Sequence, residues 1–202
     1  ALDAISGREI WRYDPKVSNA AIPYSASCRG VTAFRAPVSN PDRLELTQGP
    51  RAQPCSLRII EGTLDGRIIA VDAETGRPCA DFGLNGQVDI KQGMGVVYPG
   101  MAAITAPPVI VRGNIVTGHQ VMDGQRNSAP SGVIQAFDAV TGERAWAWDM
   151  GRPGEYGQPE PDEEFTRGTP NMWTTASADE NLGLVYLPMG NSAVDYWSSD
   201  RS

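Results

Sequence analysis

At 202 residues with 41% hydrophobic side chains, the chain is long enough to bury one sizeable core and too apolar to be disordered. A net charge of −7, with no basic cluster, argues against a nucleic-acid partner. No apolar run approaches the ~18 residues that cross a bilayer, and 22 Gly and 16 Pro without helical periodicity mark a turn-rich, mainly β chain.

Residues 1–7 read Ala-Leu-Asp-Ala-Ile-Ser-Gly, a turn phrase followed by Ile10, Trp11 and Tyr13. The first residue already lies inside this phrase, so the chain is expected to be a piece of a longer one. Residues 15–27 are loop-like. Arg29 then stands between Cys28 and Gly30 at the start of an apolar run. It is either a loop arginine in an ion pair or a planar fork aimed at a ligand carboxylate. Residues 35–57 are a polar insertion carrying Pro37, Pro41, Pro50 and Pro54. A hairpin follows: Arg58–Thr63, a Leu-Asp-Gly66 turn, and Arg67–Val71. It runs directly into a second turn phrase, Ala70 to Gly76. Strand, turn, strand, turn, strand is an antiparallel meander, the blade of a β-propeller when repeated.

Residues 84–103 are Gly-rich and irregular. Ile104–Val111, an Arg-Gly-Asn turn and Ile115–Val121 predict another hairpin. His119, the only histidine, reads as a satisfied strand residue rather than a catalyst. Asp123 ends that strand; on spacing it is first a turn aspartate, and second a cation ligand. Ser131–Met150 is the clearest unit: a strand, the turn Asp138 to Gly142, and a strand in which Trp146 and Trp148 alternate with Ala145 and Ala147. Both indoles therefore point to one face. Residues 151–168 are a Pro/Gly/acidic loop expected at the solvated surface. Trp173 has mostly polar neighbours, so it is either ordinary packing or a platform for a flat ligand. Asn191, after Met-Gly at a strand end, is first a turn asparagine, and second an amide oxygen for a hard cation.

The phrase Ala-x-Asp-Ala-x-(Ser/Thr)-Gly thus occurs three times, with Asp3, Asp72 and Asp138 spaced 69 and 66 residues apart. A Trp follows the Gly by four residues in two copies, at Trp11 and Trp146. One supersecondary unit is repeated, each burying its face on the next. The three cysteines, Cys28, Cys55 and Cys79, form no Cys-x-x-Cys pair. They are either one disulfide with a free thiol or three buried thiols.

These phrases, with Cys28-Arg29-Gly30-Val31, Ser131-Gly-Val-Ile-Gln-Ala-Phe-Asp138 and Leu184-Val-Tyr-Leu-Pro-Met-Gly190, resemble the pyrroloquinoline quinone (PQQ) dehydrogenases. Within them, the resemblance points to the membrane-bound quinoprotein glucose dehydrogenases or their quinate/shikimate relatives. Alcohol-oxidising members carry a vicinal cysteine pair before this arginine. Here Ile22-Pro-Tyr-Ser-Ala-Ser27 precedes a single Cys28.

The resemblance implies an all-β, eight-bladed propeller of four-stranded antiparallel blades with docked tryptophans. Residues 1–202 would be a partial PQQ-binding domain of about three blades. It implies PQQ stacked on a tryptophan near the axis, beside a bound divalent cation, Ca2+ or Mg2+. By position, Arg29 resembles the arginine that holds a PQQ carboxylate, Thr105 a nearby hydroxyl donor and Trp173 the stacking floor. Thr169 falls beside the cofactor, and Asp123 and Asn191 fall where metal-ligating oxygens lie. The implied activity is oxidation of a sugar or polyol hydroxyl, glucose to gluconolactone first, by hydride transfer to PQQ, with electrons passed to ubiquinone. The implied place is the periplasmic face of the bacterial inner membrane, with membrane contact only through segments outside this chain. No catalytic residue is assigned: the general-base aspartate is expected beyond Ser202, and the isolated chain is expected to be inactive. Exposed sheet edges are expected to make it poorly soluble or self-associating. The competing reading is a non-catalytic propeller scaffold that binds protein. Such a scaffold needs the docking tryptophans but has no need for Arg29, Asp123, Trp173 and Asn191 to converge.

Overall fold

A computed structural model describes residues 1–37 and 53–197. Most of the proline-bearing insertion, including Pro41 and Pro50, lies outside the described residues. In chain order the strands are β1 (Thr32–Arg35), β2 (Leu57–Gly62), β3 (Arg67–Asp72), β4 (Gln87–Asp89), β5 (Ala102–Ala103), β6 (Val109–Val111), β7 (Asn114–Thr117), β8 (Gln120–Val121), β9 (Ile134–Asp138), β10 (Arg144–Trp148), β11 (Ser177–Asp179) and β12 (Leu184–Tyr186). A single 3-10 turn, Asn19–Ala21, is the only helical element among the described residues, and no helix there is long and apolar enough to cross a membrane.

Two four-stranded antiparallel sheets carry the fold, β1-β2-β3-β4 and β10-β9-β7-β6. The second follows the hairpins expected from the sequence. In the first, the strand expected directly after the Thr75-Gly76 turn is reduced to a single Val71–Pro78 bridge, and the outer strand β4 forms instead at Gln87–Asp89, inside the stretch read as irregular. The Leu64-Asp65-Gly66 loop turns β2 back on β3, with Gly66 at φ 79° closing on the Thr63 carbonyl. Arg112 and Gly113, both at positive φ, turn β6 into β7. Two shorter pairs, β5-β8 and β11-β12, complete the strands. One apolar core joins the large sheets, with Ile60, Ile68, Phe82 and Ile90 meeting Ile115, Val133 and Phe137. A second, around Val116, Ile134, Ala136 and Met172, packs Val185 and Leu187 of the β12 segment against the second sheet.

Two expected strands are shorter than the apolar runs suggest. Pro107 and Pro108 cannot donate to a ladder, so β6 starts only at Val109. The run Ile115–Val121 breaks at Gly118-His119 because Met172 packs where a side chain at 118 would stand; a Cβ there would meet Met172 Cβ at 2.7 Å. β8 then leaves the large sheet and pairs with β5. The loop 151–168 is mostly solvated as expected, but buried Phe165 anchors it to the core.

The three turn phrases share one hydrogen-bond pattern. Asp3 Oδ1 accepts from Ser6 N at 2.7 Å, Asp72 Oδ1 from Thr75 N at 2.9 Å, and Asp138 Oδ1 from Thr141 N at 2.7 Å. The glycine four residues on donates to the aspartate carbonyl at 2.8–2.9 Å and lies in the left-handed region, at φ 69°, 70° and 74°. A fourth turn, Asp179 to Gly183, repeats this geometry between β11 and β12. Its sequence departs from the phrase, with Glu180 and Leu182 in place of the usual alanine and hydroxyl residue. Only the aspartate and glycine are needed to build the turn.

The cysteines resolve to a disulfide, Cys55–Cys79, with Cys28 free and exposed. The reading of three buried thiols is therefore set aside.

Candidate cofactor and cation site

One cavity of roughly 570 Å³ is lined by residues from four separate stretches of the chain. Tyr24, Ser27 and Arg29 come from the loop before β1. Gln120 to Gln125 come from β8 and the loop after it. Asn171 and Trp173 precede β11, and Gly190, Asn191, Asp195 and Tyr196 follow β12. Arg29, Asp123, Trp173 and Asn191 therefore open into a single hollow.

The cationic part is Arg29 with Trp173. The guanidinium carbon lies 5.5 Å from the indole centroid, a cation–π contact. Its Nη1 donates to the carbonyls of Thr105 at 3.0 Å and Trp173 at 3.2 Å. Nε and Nη2 make no hydrogen bond among the described residues. Trp173 is 47% exposed, so its face is open to a ligand. Thr105 does not line the cavity. It is buried, and its hydroxyl donates to the Trp173 carbonyl at 2.7 Å, fixing the backbone under the indole.

The oxygen-bearing part is the carboxylates of Asp123 and Asp195 with the amide of Asn191. Asn171 Nδ2 donates to Asp123 Oδ2 at 2.7 Å, and Asn191 Nδ2 donates to Asp195 Oδ1 at 2.9 Å. Burial pushes the Asp123 carboxyl up, the Asn171 hydrogen bond opposes this, and the nearby Asp195 charge adds to the rise. Tyr24 sits against the same carboxylates. Burial, then the charges of Asp123 and Asp195, push its phenol up, so it stays a protonated donor.

Thr169 does not line this hollow. Its hydroxyl accepts from Gly132 N at 2.9 Å and donates to the Thr166 carbonyl at 3.3 Å. It stitches the start of the third repeat unit to the 166–170 loop. Gly132 is required there because a side chain would collide with the Pro170 carbonyl. His119 is also outside the cavity. It is fully buried, its Nε2 bonds the Ser131 carbonyl at 2.8 Å, and burial pushes its pKa down to about 4. It is neutral at pH 7. The expectation of a satisfied strand residue holds only in part: His119 lies between β7 and β8, and its buried Nδ1 meets no hydrogen-bond partner among the described residues.

Sequence reasoning passed over Tyr24, Asn171 and Asp195. Tyr24 and Asn171 stand in segments with no turn or repeat signature of their own. Asp195 lies four residues after Asn191, a spacing that carries no signal outside a helix.

This geometry fits a flat polyanion and a hard cation. A guanidinium with unspent N–H groups lies beside an open indole face, and carboxylate and amide oxygens share the same hollow. The family model described as PQQ: Glucose/ethanol/alcohol dehydrogenase, beta-propeller domain, matches residues 1–202. The chain belongs to this PQQ dehydrogenase family. Over 201 residues it is 49% identical to the glycerol dehydrogenase large subunit of Gluconobacter oxydans, covering all of this chain and 26% of that protein. It is 37% identical to the quinoprotein glucose dehydrogenase of Escherichia coli, again over the whole chain and 25% of the relative. The quinohemoprotein alcohol dehydrogenase of Comamonas testosteroni superposes with a TM-score of 0.63 over 98% of this chain and 26% of that one, at 23% identity, and shares its propeller fold. The chain thus spans about a quarter of the length of the PQQ dehydrogenases it matches.

Proposed function

We propose that this chain builds one wall of the PQQ and cation site of a dehydrogenase that oxidises a polyol hydroxyl. The observation that carries the reading is the convergence of Arg29, Trp173, Asp123 and Asn191 on one cavity. The scaffold alternative has no need of that convergence. When bound, PQQ supplies the acceptor for the carbinol hydride, and the cation draws electron density from its quinone carbonyl. Arg29 takes a carboxylate of the cofactor through its unspent N–H groups. Trp173 offers its face, held flat by the two donors on its own carbonyl. Asp123 and Asn191 contribute oxygens to the cation, Ca2+ or Mg2+.

The substrate reading moves from glucose toward a small open-chain polyol. The 49% identity to a glycerol dehydrogenase large subunit exceeds the 34–37% found for quinoprotein glucose dehydrogenases. Ubiquinone as electron acceptor and the periplasmic face of the inner membrane remain part of the proposal. A relative at 35% identity is named a quinate/shikimate dehydrogenase (quinone), and the Cys55–Cys79 disulfide suits an oxidising compartment.

The test is PQQ titration of the intact protein followed by tryptophan fluorescence. Trp173→Ala is expected to weaken PQQ binding by ~5- to 10-fold or more, on the order of 0.5–1.5 kcal/mol for an aromatic stack plus the area it buries. Unchanged PQQ affinity in Trp173→Ala and Arg29→Met would reject the site. Glucose and glycerol as alternative substrates then settle the substrate class by their kcat/KM ratio.

A further inference from the structure

Asn171 is 1% exposed, and its polar groups reach three separate parts of the cavity wall. Its Nδ2 donates to Asp123 Oδ2 at 2.7 Å. Its Oδ1 accepts from Val121 N, in β8, at 3.4 Å. Its main-chain carbonyl accepts from Gly190 N at 2.8 Å, one residue before Asn191. Trp173 follows two positions later. A Cβ at Gly190 would lie 3.2 Å from the Asn171 carbonyl and 3.5 Å from Trp173 Nε1, so the loop bearing Asn191 closes tightly on this segment. Met172, between Asn171 and Trp173, is buried in the second core and gives the segment a rigid base.

We propose that Asn171 is the positioning residue of the cation site: it sets the Asp123 carboxylate and ties it to the loop that presents Asn191. This rests on the cation reading of Asp123 given above. A loop carboxylate swings about two side-chain torsions. One short hydrogen bond from a buried amide removes that freedom, so that a cation meets a preset oxygen, as groups behind metal ligands do elsewhere. The choice of an amide matters. A lysine or arginine in its place would orient Asp123 equally well but cancel its charge. No ion pair is formed by Asp123 among the described residues, so the carboxylate is oriented with no side-chain cation competing for its oxygens. Asn171 acts from behind the ligand set: its Nδ2 holds Asp123, and its Oδ1 accepts from Val121 N at 3.4 Å.

The experiment is a double-mutant cycle read by calorimetric titration of the intact, PQQ-free protein with Ca2+ alone. Asn171→Leu is expected to weaken Ca2+ binding about 10-fold or more, and Asp123→Ala by at least as much. Because Asn171 acts through Asp123, the double variant should bind Ca2+ no more weakly than Asp123→Ala. A merely structural asparagine would instead add its full loss on the Asp123→Ala background, and that result overturns the proposal. Wild-type Ca2+ affinity in Asn171→Leu overturns it too, while leaving the cation reading intact. Equal affinity in wild type and Asp123→Ala removes the cation reading and this proposal together. Should Asn171→Leu fail to fold, Asn171→Ser serves: its hydroxyl is too short to reach Asp123, and the same cycle and the same outcomes apply.

Discussion

Two junctions between successive repeat units are closed by different chemistry. At the first, the Trp11 indole lies over the turn Asp72 to Gly76. Its Nε1 donates to the Ala73 carbonyl at 2.9 Å, and a Cβ on Gly76 would sit 2.5 Å from the ring. At the second, the turn Asp138 to Gly142 meets no tryptophan, because Ala80 stands where the second phrase would place one. Arg58, 1% exposed, takes over: its Nη1 donates to Val140 O at 2.9 Å and Ala139 O at 3.3 Å. Ala73 and Ala139 hold the same place in their phrases. The covering role passes to Gly83, whose N donates to Thr141 O at 2.7 Å and packs 2.9 Å from where a Gly142 Cβ would be. The repeat therefore demands a buried donor for one carbonyl and a flat neighbour for one glycine. One indole meets both demands, or a guanidinium and a glycine divide them.

The substitute is the more elaborate and the more vulnerable. Arg58 also donates Nε to the Cys55 carbonyl at 3.1 Å and Nη2 to Asp81 at 2.9 Å. Removing it strands three carbonyl acceptors in or near the core, each worth about 1–3 kcal/mol when buried without a donor. Arg58→Met is thus expected to cost about 4 kcal/mol in denaturant unfolding, less what is regained by no longer burying a charge. A loss under about 1 kcal/mol would show that the second junction is held by packing alone.

The disulfide is part of the same clamp. Cys55–Cys79 spans 24 residues and fixes both the carbonyl that receives Arg58 and the segment that carries Asp81. Loop-closure entropy alone assigns the bond about 3 kcal/mol. The Cys55→Ser/Cys79→Ser pair should lose that much stability. It should also lose amide protection in β9 and β10, across the junction. If protection falls only within β2 and β3, the disulfide serves its own sheet and not the contact. By comparison, Trp11→Phe keeps the ring and removes one donor, so the first junction should weaken by only about 1 kcal/mol.

What was legible in the chain follows the same division. Turns and hairpins are local, so Asp-Gly and Thr-Gly punctuation with alternating β-formers placed β2, β3, β9 and β10 nearly to the residue. The site is not local. Arg29 and Trp173 are 144 positions apart, and only the family resemblance put them together before the structure did. Asn171 gave no signal, because a buried asparagine is recognised by its partners and not by its neighbours in sequence. Arg58 looked like a strand residue at a hairpin start. Nothing in its surroundings announced that it would cross to the next unit and stand in for an indole. The fourth turn, Asp179 to Gly183, was hidden for the opposite reason: its geometry is kept while its spelling has drifted.

The smallest expected effect separates the first two turns, which share a hydrogen-bond pattern and differ in depth. Burial raises the Asp72 carboxyl, but hydrogen bonds from Cys55 N, the Thr75 hydroxyl and backbone, and Glu74 N outweigh it and hold the group below its ordinary value. Asp3 is also held low, first by the Ser6 hydroxyl and then by Ser6 N, but in open solvent. A carboxyl depressed in the folded state stabilises above its unfolded value, near pH 4, and that stability is lost as the pH falls through the depressed value. Both turns should therefore loosen in acid. At Asp72 the loss is coupled to the Cys55 backbone and so to the Arg58 clamp, and it should persist in high salt. Asp72→Asn should flatten the fall in stability below pH 4, whereas Asp3→Asn should leave the slope of global unfolding unchanged. Equal slopes in the two variants would mean that the buried turn and the exposed one contribute alike, and that the link from Asp72 through Cys55 to the second junction carries no free energy.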